Sequence, residues 1–168
     1  AVTAPIAVQA QSPGKPVAID FGLTTIGAPP AGFTVALTGQ GVPPRWIVIE
    51  DTTAPSGGSR VATETSGDAT DNRFPLLIYA GLDAKDVQVT VRFKPVSGKV
   101  DRAAGLAVRL KDANNYYVVR ANALEDNVRL YKVVNGKRHQ FAGRDVKVPT
   151  DSWHTLGLKI ESNRIDVF

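Results

Sequence analysis

The sequence predicts an all-β fold in which antiparallel sheets pack into one sandwich. From residue 86 onward, apolar and polar side chains alternate along the chain, which is typical of strands with one buried and one solvated face. The composition agrees, because 15 Gly and 11 Pro in 168 residues supply the turns that many short strands need. Asn135 and Gly136, between two strand-forming runs, are typical of a tight hairpin.

The first half of the chain predicts short strands separated by loops. Pro and Gly residues interrupt the apolar runs, and residues 52–72 are rich in Thr, Ser, Gly and Asp, which is typical of loops. The run at 74–79 is apolar without alternation, which favours a strand lying deep against the core. The predicted strands are Val17–Phe21, Phe33–Leu37, Arg45–Glu50, Arg60–Glu64 and Phe74–Tyr79.

The second half predicts longer strands with regular alternation. The predicted strands are Val87–Lys94, Ala104–Lys111, Asn115–Asn122 and Asn127–Val134, and the pattern repeats over Trp153–Phe168. Asn and Asp at 112–115, and Ser162 with Asn163, predict two further turns. The last alternating run ends at Phe168, where a return strand is expected. We therefore expect the sandwich to lack its last strand and to expose an edge that favours self-association.

The length of the chain favours a single domain over residues 15–168. We expect residues 1–14 to be an extended arm or the remnant of an export signal, because Ala1–Ala10 is rich in Ala and Val and ends in a small-x-small pattern. A secreted or periplasmic location is therefore expected. The absence of cysteine excludes a disulfide framework, a thiolate metal site and a cysteine nucleophile.

The charge pattern gives little support to a nucleic-acid partner. The net charge is +4, but the 20 Lys and Arg residues are scattered, with no run of five or six. We therefore expect no nucleic-acid binding. The chain also has no apolar run of 18 residues, so we expect no membrane span.

Several segments resemble the concanavalin A-like lectin and glucanase domains, which include laminin-G-type modules. The resemblance rests on the Trp-His-x-Leu pattern at Trp153–Leu156 and on the Ile-x-Val pattern at Ile165–Val167. Gly105–Arg109, Asn115–Arg120 and Asn135–Lys137 are similar to a bacterial branch described as family-16-like or 3-keto-disaccharide hydrolase-like. The resemblance covers residues 87–168. It implies a jelly-roll sandwich of two antiparallel sheets, one concave and often a carbohydrate-binding surface.

Outward-facing arginines on the predicted strands suggest where such a surface lies. If the valines and leucines of successive strands face the core, then Arg92, Arg109, Tyr116 and Arg120 share the opposite face. Neighbouring strands lie about 4.8 Å apart, so these side chains could form one row. Guanidinium groups hydrogen bond to sugar oxygens, and an aromatic ring can stack on a sugar.

This row predicts a saccharide- or polysaccharide-binding domain with no evident catalytic machinery. Trp46 and Asn122 are predicted as additional binding residues. The alternative is that the arginines pair with Asp101, Glu125 or Asp126 and only keep a half-exposed sheet soluble.

Two other functions remain open from the sequence. The first is a glycoside-active hydrolase of the 3-keto-disaccharide hydrolase type. Glycoside hydrolysis needs two carboxyl groups roughly 5 to 10 Å apart. Glu125 or Asp126 could serve near the same groove, although the Glu-x-Asp-x-Glu strand of family 16 glucanases is absent. The second alternative is a structural or adhesive module whose open edge recruits a partner strand.

A calcium site is expected at Asp68 and Asp71, because calcium prefers clustered carboxylate and carbonyl oxygens. Both residues lie in a long loop with no other evident role. Such residues also form turns without any metal, so the sequence leaves the cofactor as possible calcium.

Overall fold

The structure, a computed structural model, describes the backbone of residues 2–4 and all of residues 16–55 and 58–168. The described residues form twelve β-strands and no helix, which confirms the predicted all-β antiparallel sandwich. None of these residues forms a helix that could span a lipid bilayer. The strands are β1 (Val2–Ala4), β2 (Phe33–Thr38), β3 (Trp46–Glu50), β4 (Arg60–Glu64), β5 (Phe74–Tyr79), β6 (Val87–Pro95), β7 (Ala103–Asp112), β8 (Asn115–Asn122), β9 (Asn127–Val134), β10 (Lys137–Asp145), β11 (His154–Glu161) and β12 (Arg164–Val167).

The strands form three antiparallel sheets. A six-stranded sheet has the order β12-β11-β6-β1-β4-β3, a four-stranded sheet has the order β10-β9-β8-β7, and β2 pairs with β5 in a two-stranded ribbon. The four-stranded sheet is a continuous meander, whereas the six-stranded sheet combines strands from both ends of the chain. Of the predicted arm at residues 1–14, Val2–Ala4 forms a strand between β4 and β6. Residues 1 and 5–14 of that arm lie outside the described part of the chain.

The main core lies between the six-stranded and four-stranded sheets. Alternation directs the apolar side chains of β6 and β11 from one sheet against those of β7, β8 and β9 from the other. This confirms the predicted inward direction of the valines and leucines. The buried core side chains are Val87, Val91, Phe93, Leu106, Val108, Val119, Ala121, Leu130, Val148, Leu156, Leu158 and Ile160.

The β2–β5 ribbon joins the two ends of the sandwich. At one end, Phe33 and Leu77 pack against a smaller core around Val48 and Ala62. At the other end, Thr38 hydrogen bonds to Tyr116 of β8, whose side chain lies on the face turned away from the main core. The ribbon therefore forms a wall beside that outer face of the four-stranded sheet.

One predicted strand is wrong. Residues 17–21 form an irregular segment with a single bridge at Val17, although Phe21 is only 2% exposed. The apolar pattern there reports burial of Phe21 against the smaller core rather than pairing with another strand. By contrast, the predicted hairpin turn is confirmed, because Asn135 and Gly136 have φ values of 49° and 77°, as a type I′ turn requires.

Candidate functional site

The structure does not bring the predicted row of arginines together. Arg92 lies on β6, which pairs with β1 and β11 in the six-stranded sheet. Arg109, Tyr116 and Arg120 lie in the four-stranded sheet. The prediction of one row is wrong because it assumed that β6 and β7, neighbours in sequence, are also neighbours in a sheet.

Arg109 ties loops together away from the other predicted residues. The pairing of β7 with β8 is irregular after Val108, and Arg109 has a φ of 49°, so its side chain leaves the regular alternation. Its guanidinium donates to Asp86 Oδ1 at 3.1 Å, to the Lys85 carbonyl at 3.1 Å and to the Ser162 carbonyl. Arg109 thus connects the loop before β6 with the turn between β11 and β12.

Tyr116, Asn122 and Trp46 are also placed differently from the prediction. Tyr116 is 4% exposed and bonded to Thr38, so its ring offers no surface to a sugar, and burial raises the pKa of its hydroxyl. Asn122 is fully buried, and its amide donates to Asp101 at 2.7 Å. Trp46 packs against the smaller core in the other sheet.

Arg120 is the one predicted residue at the centre of a polar cluster. Its side chain is 12% exposed. Its two terminal nitrogens donate to Asp101 at 3.3 Å, to Glu125 at 2.5 Å and to Asn127 at 3.2 Å. Its Nε is buried without a hydrogen-bond partner among the described residues. Arg120 therefore holds two carboxylates, from the loops before β7 and after β8, over the outer face of the sheet.

A second guanidinium, that of Arg138 on β10, lies on the same face. It stacks on the ring of Phe74 at 4.0 Å and on that of Tyr131 at 4.9 Å from the ring centroids. Arg120 also lies over Tyr131, at 5.6 Å. No hydrogen bond or ion pair engages Arg138 within the described ranges. We call the set of Asp101, Arg120, Glu125, Tyr131 and Arg138 the arginine site.

The floor beside the arginine site is formed by small residues of β7. Gly105 lies opposite Arg120, Ala107 lies opposite Val118, and both are exposed. A Cβ atom at Gly105 would lie 2.3 Å from the Val119 carbonyl oxygen, so no side chain is tolerated there without a shift of the backbone. The absence of larger side chains leaves open surface next to Arg120.

The pKa values of the two carboxyl groups of the arginine site are shifted in opposite directions. Burial raises the pKa of Asp101, and the attraction of Arg120 and Arg138 only partly offsets this effect. The pKa of Glu125 is lowered by the hydrogen bond from Asn127 and by Arg120. The site therefore combines hydrogen-bond acceptors at the carboxyl groups with hydrogen-bond donors at two guanidinium groups.

Replacing Glu125 with Gln is expected to reduce the loss of stability in acid. Because the pKa of Glu125 is lowered from 4.5 in the folded state, its charge stabilises the fold above that pH, and this contribution disappears as the pH falls through the folded pKa. The carboxylate is half exposed, so the difference at neutral pH should be below about 1 kcal/mol. Urea unfolding at neutral pH and at about pH 3 measures the difference in free energy of unfolding between wild type and Glu125→Gln. Equal differences at the two pH values would contradict this prediction.

The side chains of the neighbouring residues Glu125 and Asp126 point in different directions. Asp126 has a φ of 48°, and its carboxylate accepts from the Val148 amide at 3.0 Å and from Lys147 at 2.6 Å. It therefore points to the segment after β10, whereas Glu125 points into the arginine site. Among the described residues, the one other carboxylate that pairs with the same guanidinium as Glu125 is that of Asp101.

The residues predicted to bind calcium accept hydrogen bonds within their own loop and, at Asp68, from the loop between β2 and β3. Asp68 accepts from Thr70 and from the Val42 amide and forms an ion pair with Arg73 at 3.1 Å. Asp71 accepts from Asn72. Within the described ranges, no group of three or more His, Cys, Asp or Glu residues could hold a metal ion.

The comparisons with known proteins identify a fold and no family. The chain matches no protein-family model and no curated protein. It is similar to the solved structure of the carbohydrate-binding module CBM66 from Bacillus subtilis, with a TM-score of 0.57 and 21% sequence identity. The match covers 82% of this chain and 73% of that one. At this identity the likeness shows that the two chains share a β-sandwich fold.

Proposed function

We propose that this chain is an exported carbohydrate-binding domain that holds a saccharide on the outer face of its four-stranded sheet. The observation that carries the proposal is Arg138, whose guanidinium is fixed between two aromatic rings and is not used by any hydrogen bond of the described structure. A donor held in one orientation loses little conformational entropy when a ligand binds. Arg138 is thus prepared for an acceptor from outside the chain.

The arginine site has the mixture of groups that a sugar requires. A sugar hydroxyl both donates and accepts hydrogen bonds. Asp101 and Glu125 are partly exposed and can accept hydrogen bonds from hydroxyls, while Arg138 can donate to hydroxyl or carboxylate oxygens. The open floor at Gly105 and Ala107 leaves room for the ring. The similar solved structure is that of a carbohydrate-binding module, which supports the same class of ligand for this chain.

Glycoside hydrolysis is a second candidate, favoured by one observation. Asp101 and Glu125 are bound to opposite nitrogens of Arg120, and their pKa values are shifted in opposite directions. Pairs of carboxyl groups whose environments separate their pKa values are typical of an acid and a base acting on one bond. Release of a reducing sugar would favour this candidate, and retention without turnover would favour the binding domain.

An immobilised panel of neutral and acidic oligosaccharides tests the proposal. We expect wild type to be retained on at least one member and Arg138→Gln to bind it about 10- to 100-fold more weakly, because a charged donor with fixed orientation is lost. The control is Arg164→Gln, since Arg164 is 75% exposed and pairs only with Asp166 among the described residues. Equal retention of the two variants, or no retention of wild type on any member, would overturn the proposal.

A further inference from the structure

We propose that a second site, separate from the arginine site and independent of the proposed function, binds a small aromatic carboxylate. The site is a groove of about 570 Å³ on the opposite face of the four-stranded sheet. It lies where β9 and β10 of this sheet face β11 and β12 of the six-stranded sheet. We call it the edge groove.

The edge groove exists because the two sheets do not close on this side. Among the described residues, β10 pairs only with β9 and β12 pairs only with β11, so both are edge strands. Near this edge, Lys132, His139 and Phe141 remain exposed. At this edge, the main core therefore borders an open groove.

Two aromatic rings form one wall of the edge groove. Phe141 is inserted where the pairing of β10 with β9 shifts register, and it is 54% exposed. Its ring meets that of Tyr117 edge to face, with centroids 6.2 Å apart and planes at 89°. Leu130 on β9 of the same sheet and Ile165 on β12 of the six-stranded sheet also line the groove. A planar ring placed between them would bury apolar surface and extend this aromatic pair.

The polar side of the edge groove is cationic. Lys132 on β9 and His139 on β10 are direct cross-strand partners, and both are exposed. No residue among those that line the groove in the described chain is acidic, and no ion pair or hydrogen bond engages Lys132 there. Arg109 also lines the groove, but its charge is already shared with Asp86. An ammonium group beside an imidazole, without a carboxylate opposite, favours an anion from outside the chain.

Size and charge together indicate the class of ligand. Pockets for small molecules enclose roughly 300 to 1,000 Å³, and this groove lies within that range. One compact apolar wall and one compact cationic side fit a molecule with a single ring and a single carboxylate, joined by a short chain. A neutral ring would leave Lys132 unpaired, and a simple anion would leave Phe141 exposed.

The test measures binding of three probes by calorimetry: 3-phenylpropionate, its amide and acetate. We expect 3-phenylpropionate to bind about tenfold or more tightly than the amide, because only the carboxylate pairs with Lys132, and we expect acetate not to bind. Lys132→Gln should weaken the binding of 3-phenylpropionate about tenfold and leave the binding of the amide unchanged. Phe141→Ala should weaken both. The matched control is Lys111→Gln, an exposed lysine of β7 that does not line the groove.

Three results would overturn the proposal. They are equal binding of the carboxylate and the amide, equal effects of Lys132→Gln and Lys111→Gln, and no binding of 3-phenylpropionate at millimolar concentration. Sedimentation of the free protein tests whether a second copy of the chain occupies the groove instead. Concentration-dependent dimerisation that Phe141→Ala abolishes would assign the groove to a second copy of the chain and also overturn the proposal. Since none of these variants touches the arginine site, failure here would leave saccharide binding unaffected.

Discussion

Replacing Phe93 with alanine is expected to lower the free energy of unfolding by about 3–5 kcal/mol, the range measured for buried aromatic residues. Phe93 is 1% exposed and lies on β6, in the middle of the main core. Its ring also packs against the imidazole of His154, its partner on β11, with centroids 5.3 Å apart. Truncation removes the buried ring and leaves a cavity in the core between the two sheets, which the surrounding side chains can close only in part.

Urea unfolding followed by tryptophan fluorescence measures this loss. The matched control is Phe141→Ala, the same substitution at a ring that is 54% exposed, for which we expect a change below about 1 kcal/mol. If the two substitutions lowered stability equally, Phe93 would not be the core residue that its burial indicates.

Replacing Arg120 with methionine is expected to destabilise the fold by about 2 kcal/mol at neutral pH and to abolish saccharide binding. Methionine keeps much of the apolar length of the side chain but removes the cation between Asp101 and Glu125. The two carboxylates then lose the ion-pair partner that they share and keep only the attraction of Arg138 and their hydrogen bonds from Asn122 and Asn127. The loss of one partner from a fully buried ion pair is larger, about 3–5 kcal/mol, but these carboxylates are 36% and 49% exposed.

The effect of Arg120→Met should depend on pH in a defined direction. Without the cation, the pKa values of Asp101 and Glu125 in the folded state rise, so their ionisation opposes folding at pH values above them. The destabilisation should therefore be largest at neutral pH and smaller at about pH 3, because protonation of the two carboxyl groups removes their charges. Unfolding curves at the two pH values measure it, with Arg164→Met as the surface control. An equal loss at both would show that Arg120 acts through packing alone.

The strands are predictable from the sequence where one face is buried. The bounds of β4, β5, β8 and β9 match the predictions. In contrast, the sequence predicts a hairpin turn at Asn135 and Gly136 but gives no bounds for β10, the strand that follows this turn. Eight of its nine residues are exposed, so neither face gives an apolar period. The pairing of β6 with β1 and β11, rather than with β7, depends on contacts between distant segments, which local patterns do not contain.

The arginine site is predictable only in part. Alternation along β8 identifies Arg120, but Arg138, Tyr131 and Phe74 are missed. A signal for Arg138 is present, because the two-residue turn at Asn135 and Gly136 fixes the register of β9 and β10 and places Arg138 opposite Val133. Val133 in turn lies opposite Tyr116, so all three share one face. The position of Phe74, on a separate ribbon, has no such local signal.

The meander of β7 to β10 also bears on the order in which the protein assembles. Each of its pairings joins adjacent segments through a short turn, so the entropy lost in closing each loop is small. The six-stranded sheet must instead bring Thr3 to Lys94, a partner from a distant part of the chain. During folding, the surface that we assign to saccharide binding can therefore form early as a local unit. We expect the six-stranded sheet, whose pairings join distant segments, to form later.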